Sequence, residues 1–203
     1  IMDAIKIQLP DIELKLPEFD FERNFDIRPS TAWMQENWLH AFSLSAVYVL
    51  AIYVGRHYMR TKEGYRLRRS LIAWNTFLAV FSIIGCVKMT PEFISSIFDH
   101  SIEYSVCNAS YISGATGFWT CLFIFSKPIE FGDTMFLVLR KRPLIFLHWY
   151  HHISVLVYCW HAYQENTAAG RWFVWMNYTV HSIMYAYYAL RSYGWQGPKI
   201  FAM

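Results

Sequence analysis

Apolar residues come in five long runs, at about 38–55, 70–87, 115–139, 143–162 and 171–190, and most charged residues fall in short islands between them. Each run is close to the roughly 20 helical residues that cross a bilayer's hydrocarbon core. The pattern predicts an all-α polytopic membrane protein with five transmembrane helices visible. Residues 1–37 instead alternate acidic and apolar positions and contain Pro10, Pro17 and Pro29. They are expected to form a loosely ordered or surface-lying acidic tail. Residues 38–203 are then a single transmembrane helical domain, incomplete at its C-terminus. Trp33 and Trp38 flank the first run and suit a membrane interface.

Composition agrees. The chain is 55% hydrophobic, more than a soluble domain carries without long charged surface helices. The net charge of +3 matters less than its placement. The islands after runs one, three and five hold eleven Lys/Arg and one acid, Glu63; the opposite side holds six Lys/Arg and twelve acids. The positive-inside rule puts the basic islands in the cytosol and the N-terminus in a lumen. No basic stretch leads into an apolar one near Ile1, so no cleaved signal peptide is expected. The chain starts without Met and ends on a new apolar run at Phe201-Ala202-Met203, as a fragment would.

Asn108-Ala109-Ser110 is a glycosylation sequon on the expected lumenal side. Cys107 beside it would face an oxidising lumen, whereas Cys86, Cys121 and Cys159 lie within runs. None of the four stands in a CxxC or zinc spacing, and no metal site or nucleic-acid partner is expected.

The candidate chemistry lies in polar groups that a membrane core should exclude. The fourth run, 143–162, has no carboxylate, Lys or Arg but carries His148, His151 and His152. Positions i, i+3 and i+4 share one helix face. Imidazoles gathered there are costly to bury and mark function. The third run carries Lys127, Glu130 and Thr134 along one stripe, with Asp133 beside it and a kinking Pro128. The fifth places Asn177, His181, Tyr185 (or Met184) and Tyr188 at helical spacing. Helical rise puts His151 and His152 roughly 12–14 Å, Asp133 roughly 9 Å and His181 roughly 15 Å in from the basic side. A bland alternative is a structural Lys127–Glu130 pair that locks two helices.

Three motifs carry a resemblance. Lys127-Pro-Ile-Glu130-Phe-Gly-Asp133-Thr134, His148-Trp-Tyr-His151-His152 and His181-Ser-Ile-Met184-Tyr185-Ala-Tyr187-Tyr188 resemble, in order and spacing, the signature motifs of the ELO family of very-long-chain fatty acid elongases. The resemblance runs from about Trp33 onward. Trp33-Met-Gln-Glu-Asn-Trp38 and the stretch from Leu139 to His152 look like the elongase 6 subgroup. That family has seven spans around a narrow acyl tunnel and a further Thr/Gln-rich motif in the sixth. Five spans are visible here and that motif is absent, so the chain looks C-terminally truncated.

The resemblance implies an endoplasmic-reticulum acyltransferase, a 3-ketoacyl-CoA synthase that condenses long-chain acyl-CoA with malonyl-CoA, releasing CO2 and CoA. It implies no bound cofactor. Expected partners are membrane lipid, the ketoreductase, dehydratase and enoyl reductase of the elongation cycle, and a second copy in a homodimer. His151 is the expected nucleophile, forming an acyl-imidazole. His148, His152 and His181 would orient substrate, move protons or stabilise charge. Asp133 would fix an imidazole tautomer. Lys127, Glu130, Thr134, Asn177, Met184, Tyr185 and Tyr188 are expected to bind substrate, and Arg140, Lys141 and Arg142 to meet CoA phosphates. Two rivals remain in view. A di-iron desaturase or hydroxylase would need more histidine clusters than this one. A proton-coupled carrier or lipid-binding scaffold would also use buried ionisable groups.

Overall fold

A computed structural model of the chain describes residues 17–197, and among these every regular element is helical. Residues 1–16 of the tail, Lys199 and the terminal run at 201–203 lie outside the described residues. The helices are α1 (Asp20–Arg23), α2 (Arg28–Asn37), α3 (His40–Tyr58), α4 (Arg68–Ser95), α5 (Ile102–Cys107), α6 (Gly114–Ile129), α7 (Gly132–Leu139), α8 (Phe146–Gln164) and α9 (Gly170–Tyr193). A π-turn, Ser96–His100, follows α4, and a 3-10 turn, Ser110–Ile112, precedes α6.

Helices occupy all five expected runs, but their ends move for identifiable reasons. The second does not stop at Val87. It continues to Ser95, because Met89 and Phe93 keep one face buried while Lys88 turns its ammonium to Glu22, 2.6 Å away. The start of the expected polar loop 88–114 is therefore helix. The third run is two helices. Pro128 has no N–H to offer the carbonyl of Ile124, and the Trp160 indole of α8 takes that carbonyl instead at 3.3 Å. The chain breaks at Glu130–Phe131 and restarts as α7. The expected i, i+3, i+7 stripe from Lys127 to Thr134 is interrupted by this break.

The tail also differs from expectation over its described part. Residues 20–23 and 28–37 are helical, and Glu22, Thr31 and Met34 are buried. Glu22 accepts from the Phe19 amide, the Trp119 indole and Lys88, which draws the acidic segment into the bundle end.

Helices α4 and α9 form the backbone of the bundle. They approach so closely that a Cβ on Gly85 would lie 2.4 Å from the Tyr178 ring, and Tyr178 then donates to the carbonyl of Trp119 on α6 at 2.9 Å. Gly194, at φ +112°, ends α9 in the left-handed conformation that favours glycine. Among the described residues, one helical run, Arg68–His100, is long and apolar enough alone to cross a membrane. The pair α2 and α3, bent by 64°, makes a second if read as one span. Helices α8 and α9 are long enough, but their His, Tyr and Trp residues dilute the apolar signal. Large apolar side chains such as Leu50, Tyr53, Phe77, Ile83, Val180 and Ile183 stand on the outer faces of α3, α4 and α9.

Candidate functional site

The site is built where the α6–α7 break faces α3, α4, α8 and α9. Ending α6 just after Pro128 leaves Lys127 and Glu130 pointing into the bundle, where they are only 2% and 5% exposed. Lys127 donates to Glu130 at 2.7 Å and to the Asn177 carbonyl oxygen of α9 at 3.0 Å. Its ammonium also lies 3.9 Å over the Phe123 ring. Ser126 adds a second donor to Glu130 at 3.1 Å. Each buried charge thus keeps a partner, as a low-dielectric interior requires. Lys127 also ties α6 to α9, so the helix-locking reading of the Lys127–Glu130 pair is present in the geometry.

The histidines gather beside this pair. His181 Nδ1 stands 3.9 Å from Glu130, and its ring packs edge-on to Tyr185 at 5.2 Å. On α8, the His152 ring is 4.8 Å from His148 and 6.0 Å from His151. His152 is also within electrostatic range of Glu130 and His181. His148, His151 and His152 do share a helix face, but their surroundings differ. His148 is half-buried, with Nε2 3.0 Å from the Thr134 hydroxyl. His152 is half-buried, edge-on to the stacked rings of Tyr48 and Phe131. His151 is the exposed one, and no hydrogen bond is made to its ring nitrogens among the described residues. A different side of α8, at Ile153, borders an open apolar depression on the outer surface of α3, lined by Ser45, Val49, Leu50, Tyr53 and Ile153.

The break at Glu130–Phe131 sends Asp133 and Thr134 to opposite sides. Asp133 accepts from the Trp74 indole on α4 and the Tyr185 hydroxyl on α9, both at 2.6 Å. It makes no hydrogen bond to a histidine among the described residues. Trp74 comes this close because Gly132 lacks a side chain: a Cβ there would lie 2.6 Å from the indole. Thr134, fully buried, bonds His148 on one side and the Tyr48 hydroxyl of α3 on the other.

Met184 and Tyr188 pack against the apolar group of Leu78, Ala79 and Tyr185. Of the basic triplet, Lys141, in a left-handed backbone conformation, spends its ammonium on the carbonyls of Arg60 and Lys62. It clamps two loops together, whereas Arg142 remains exposed and Arg140 half-buried. Asn108 is exposed, and its sequon partner Ser110 is engaged by Arg171 and Glu92. Among the described residues no group of three or more His, Cys, Asp or Glu is placed to hold a metal ion.

Sequence reasoning missed Tyr48 and Trp74. Both lie on helices without a motif, and the residues they bond are 86 and 59 positions away. The one local signal was a polar-tipped aromatic in an otherwise apolar run, which needs a partner when buried.

Comparison with known proteins bears on the whole arrangement. A Caenorhabditis elegans protein named as a fatty acid elongase is 51% identical over 98% of this chain, which spans 62% of that relative. Very long chain fatty acid elongase 6 of Drosophila melanogaster is 49% identical over 91% of the chain, which covers 59% of it. The human protein of the same name is 44% identical over 94% of the chain, which covers 72% of it. The chain thus spans about three fifths of the length of the first two relatives. The model of the ELO (GNS1/SUR4) family matches residues 33–203, and the chain belongs to that family.

Proposed function

We propose that this chain forms the catalytic part of a fatty acid elongase that condenses a long-chain acyl-CoA with malonyl-CoA in the endoplasmic reticulum membrane, its N-terminus in the lumen. The observation that supports this most is the convergence of three separate motifs on one polar centre. Lys127–Glu130, His148–His151–His152 and Asn177–His181 come from three helices and meet at the α6–α7 break. Family membership and the relatives' names point the same way. The apolar outer faces of α3, α4 and α9 suit lipid contact, and five spans around an acyl tunnel belong to this reading.

The reaction runs in two stages. A ring nitrogen of His151 attacks the thioester carbonyl; the C–N bond forms, the C–S bond breaks, and CoA leaves as the thiol after taking a proton. Malonyl-CoA then loses CO2. The C–C bonding pair becomes an enolate, which attacks the acyl-imidazole and returns the ring nitrogen. His151 suits the first step because it is exposed and its ring nitrogens make no hydrogen bond among the described residues. Glu130 with His152 and His181 forms the charge-handling group beside it. Arg140 and Arg142 suit the CoA phosphates, while Lys141 holds the loop that presents them. The reductions and dehydration that complete a two-carbon extension belong to partner enzymes.

The test uses membranes bearing the full-length protein and radiolabelled acyl-CoA without malonyl-CoA. Protein-bound label is expected in wild type and absent in His151→Ala, and malonyl-CoA should chase it into a product two carbons longer. Elongation without covalent label would replace the acyl-imidazole with direct condensation. Neither label nor elongation, in folded protein, would sink the elongase reading.

A further inference from the structure

The clustered histidines of α8, His148, His151 and His152, are not equivalent, and the difference comes from a residue on another helix. Tyr48, on α3, is 3% exposed; its ring stacks on Phe131 at 4.0 Å and its hydroxyl is 2.5 Å from Thr134 Oγ1. Thr134 Oγ1 is in turn 3.0 Å from His148 Nε2. Thr134 is the single hydrogen-bond partner of the Tyr48 hydroxyl among the described residues.

Counting protons along this chain gives it a direction. The phenol has one proton to place, and Thr134 Oγ1 is the acceptor within reach. Were Thr134 to donate to Tyr48 instead, the phenolic proton would be buried without an acceptor, which is costly. Tyr48 therefore donates to Thr134. The one proton of Thr134 then goes to His148 Nε2, which must accept it. An imidazole that accepts at Nε2 while neutral carries its proton on Nδ1.

We propose that Tyr48 and Thr134 are positioning residues that hold His148 as the neutral Nδ1–H tautomer. His148 then serves the reaction as a hydrogen-bond donor to developing negative charge. This rests on the elongase reading for the identity of that charge: an enolate or tetrahedral oxyanion on a thioester-derived oxygen. His148 is then unavailable as a nucleophile through Nε2, which Thr134 occupies. That leaves the attacking role to an imidazole with open nitrogens.

Two measurements on the full-length protein test this. The first is independent of activity: nitrogen-15 NMR of histidine-labelled protein, with the His148 signals assigned by their loss in His148→Asn. Wild type should show a protonated Nδ1 and an unprotonated Nε2, and Thr134→Val should mix the two tautomers. A wild-type Nε2–H tautomer would overturn the proposal, whether or not the protein elongates acyl chains. The second is kinetic. Thr134→Val should lower kcat about 10–100-fold with KM for acyl-CoA little changed, Tyr48→Phe should lower it by less, and Thr134→Ser should restore most of it. His148→Asn, which keeps a donor at the Nδ1 position, should outperform His148→Gln, which moves the donor to the Nε2 position. The reverse order, or a Thr134→Val enzyme with unchanged kcat and tautomer, would overturn the assignment. Absence of elongation in wild type would sink the functional reading and leave the tautomer result standing.

Discussion

The bundle holds buried polar groups at two ends, and they are built on different rules. At the end where α4 stops and α6 and α9 begin, Arg171 is fully buried. Its guanidinium meets Glu92 through two nitrogens and also reaches the Ser105 carbonyl and the Ser110 hydroxyl. Glu22 nearby has three donors around one carboxylate. Hydrogen-bonding capacity there is spent on the protein itself. At the α6–α7 break, Lys127, Glu130, Asp133 and Thr134 are paired just as fully, but they surround imidazoles whose nitrogens are partly unspent. The comparison separates scaffold from chemistry: a polar group with every bond satisfied internally holds the helices, and one with an open lone pair is available to a substrate.

The largest effect should come from breaking the closed end. Arg171→Leu leaves Glu92 with the Ser110 hydroxyl but no cation and leaves the Ser105 carbonyl without its charged donor. Removing one member of a buried pair costs about 3–5 kcal/mol. We expect a lower unfolding temperature in detergent and poor accumulation in cells, with Arg171→Lys between mutant and wild type. A variant as stable as wild type would show that the Arg171 cluster does not hold the bundle together.

Glu22 tests the same end through pH. Burial pushes its carboxyl up, but the Lys88 ammonium, the Phe19 amide and the Trp119 indole outweigh that and hold it below the usual carboxylate range. A group whose folded pKa is depressed contributes stability that is complete above its unfolded pKa, about 4.3. That stability is lost as pH falls through the lower folded value. Wild type should therefore lose stability on acidification toward pH 4 and below, and Glu22→Gln should be less stable at neutral pH by about 2 kcal/mol but less sensitive to acid. Parallel pH profiles for the two proteins would dismiss the Glu22–Lys88 contribution.

The two ends also differ in how far they could be read from the sequence. The histidine face of α8 was legible because i, i+3 and i+4 spacing is local. Likewise, ionisable groups in apolar runs announced Lys127, Glu130 and His181. The Arg171 and Glu22 clusters were not, because their partners lie up to 97 residues away and only packing brings them together. The break after Pro128 was half legible. Proline signals a kink, but that the kink would turn Asp133 toward α4 and Thr134 toward α3 depends on Trp74 and Tyr48. Glu22 and the start of the 88–114 segment read as tail and loop because charge was weighed without its buried partner.

Trp74 sharpens the comparison inside the site. Trp74→Phe keeps the ring against Gly132 but removes one of the two donors to Asp133. We expect about 1–2 kcal/mol of destabilisation. Combined with Tyr185→Phe, the loss should exceed the sum of the single effects, since the second change leaves the half-buried carboxylate with no donor. Strict additivity in the double-mutant cycle would mean that the carboxylate is compensated elsewhere.

The smallest structural effect should be at the residue with the largest chemical one. His151 is exposed, and its ring nitrogens make no hydrogen bond among the described residues, so His151→Ala removes little that holds the fold. Surface substitutions of this kind shift stability by about 0.5 kcal/mol or less. The unfolding temperature should therefore match wild type while covalent acyl labelling disappears. His152→Ala, which removes a half-buried ring packed edge-on to the stacked Tyr48–Phe131 pair, should lose both stability and activity. If His151→Ala instead destabilised the protein as much as His152→Ala, the open nitrogen would not distinguish the reacting histidine from its neighbours. The division between closed scaffold and open chemistry would then have to be drawn elsewhere on α8.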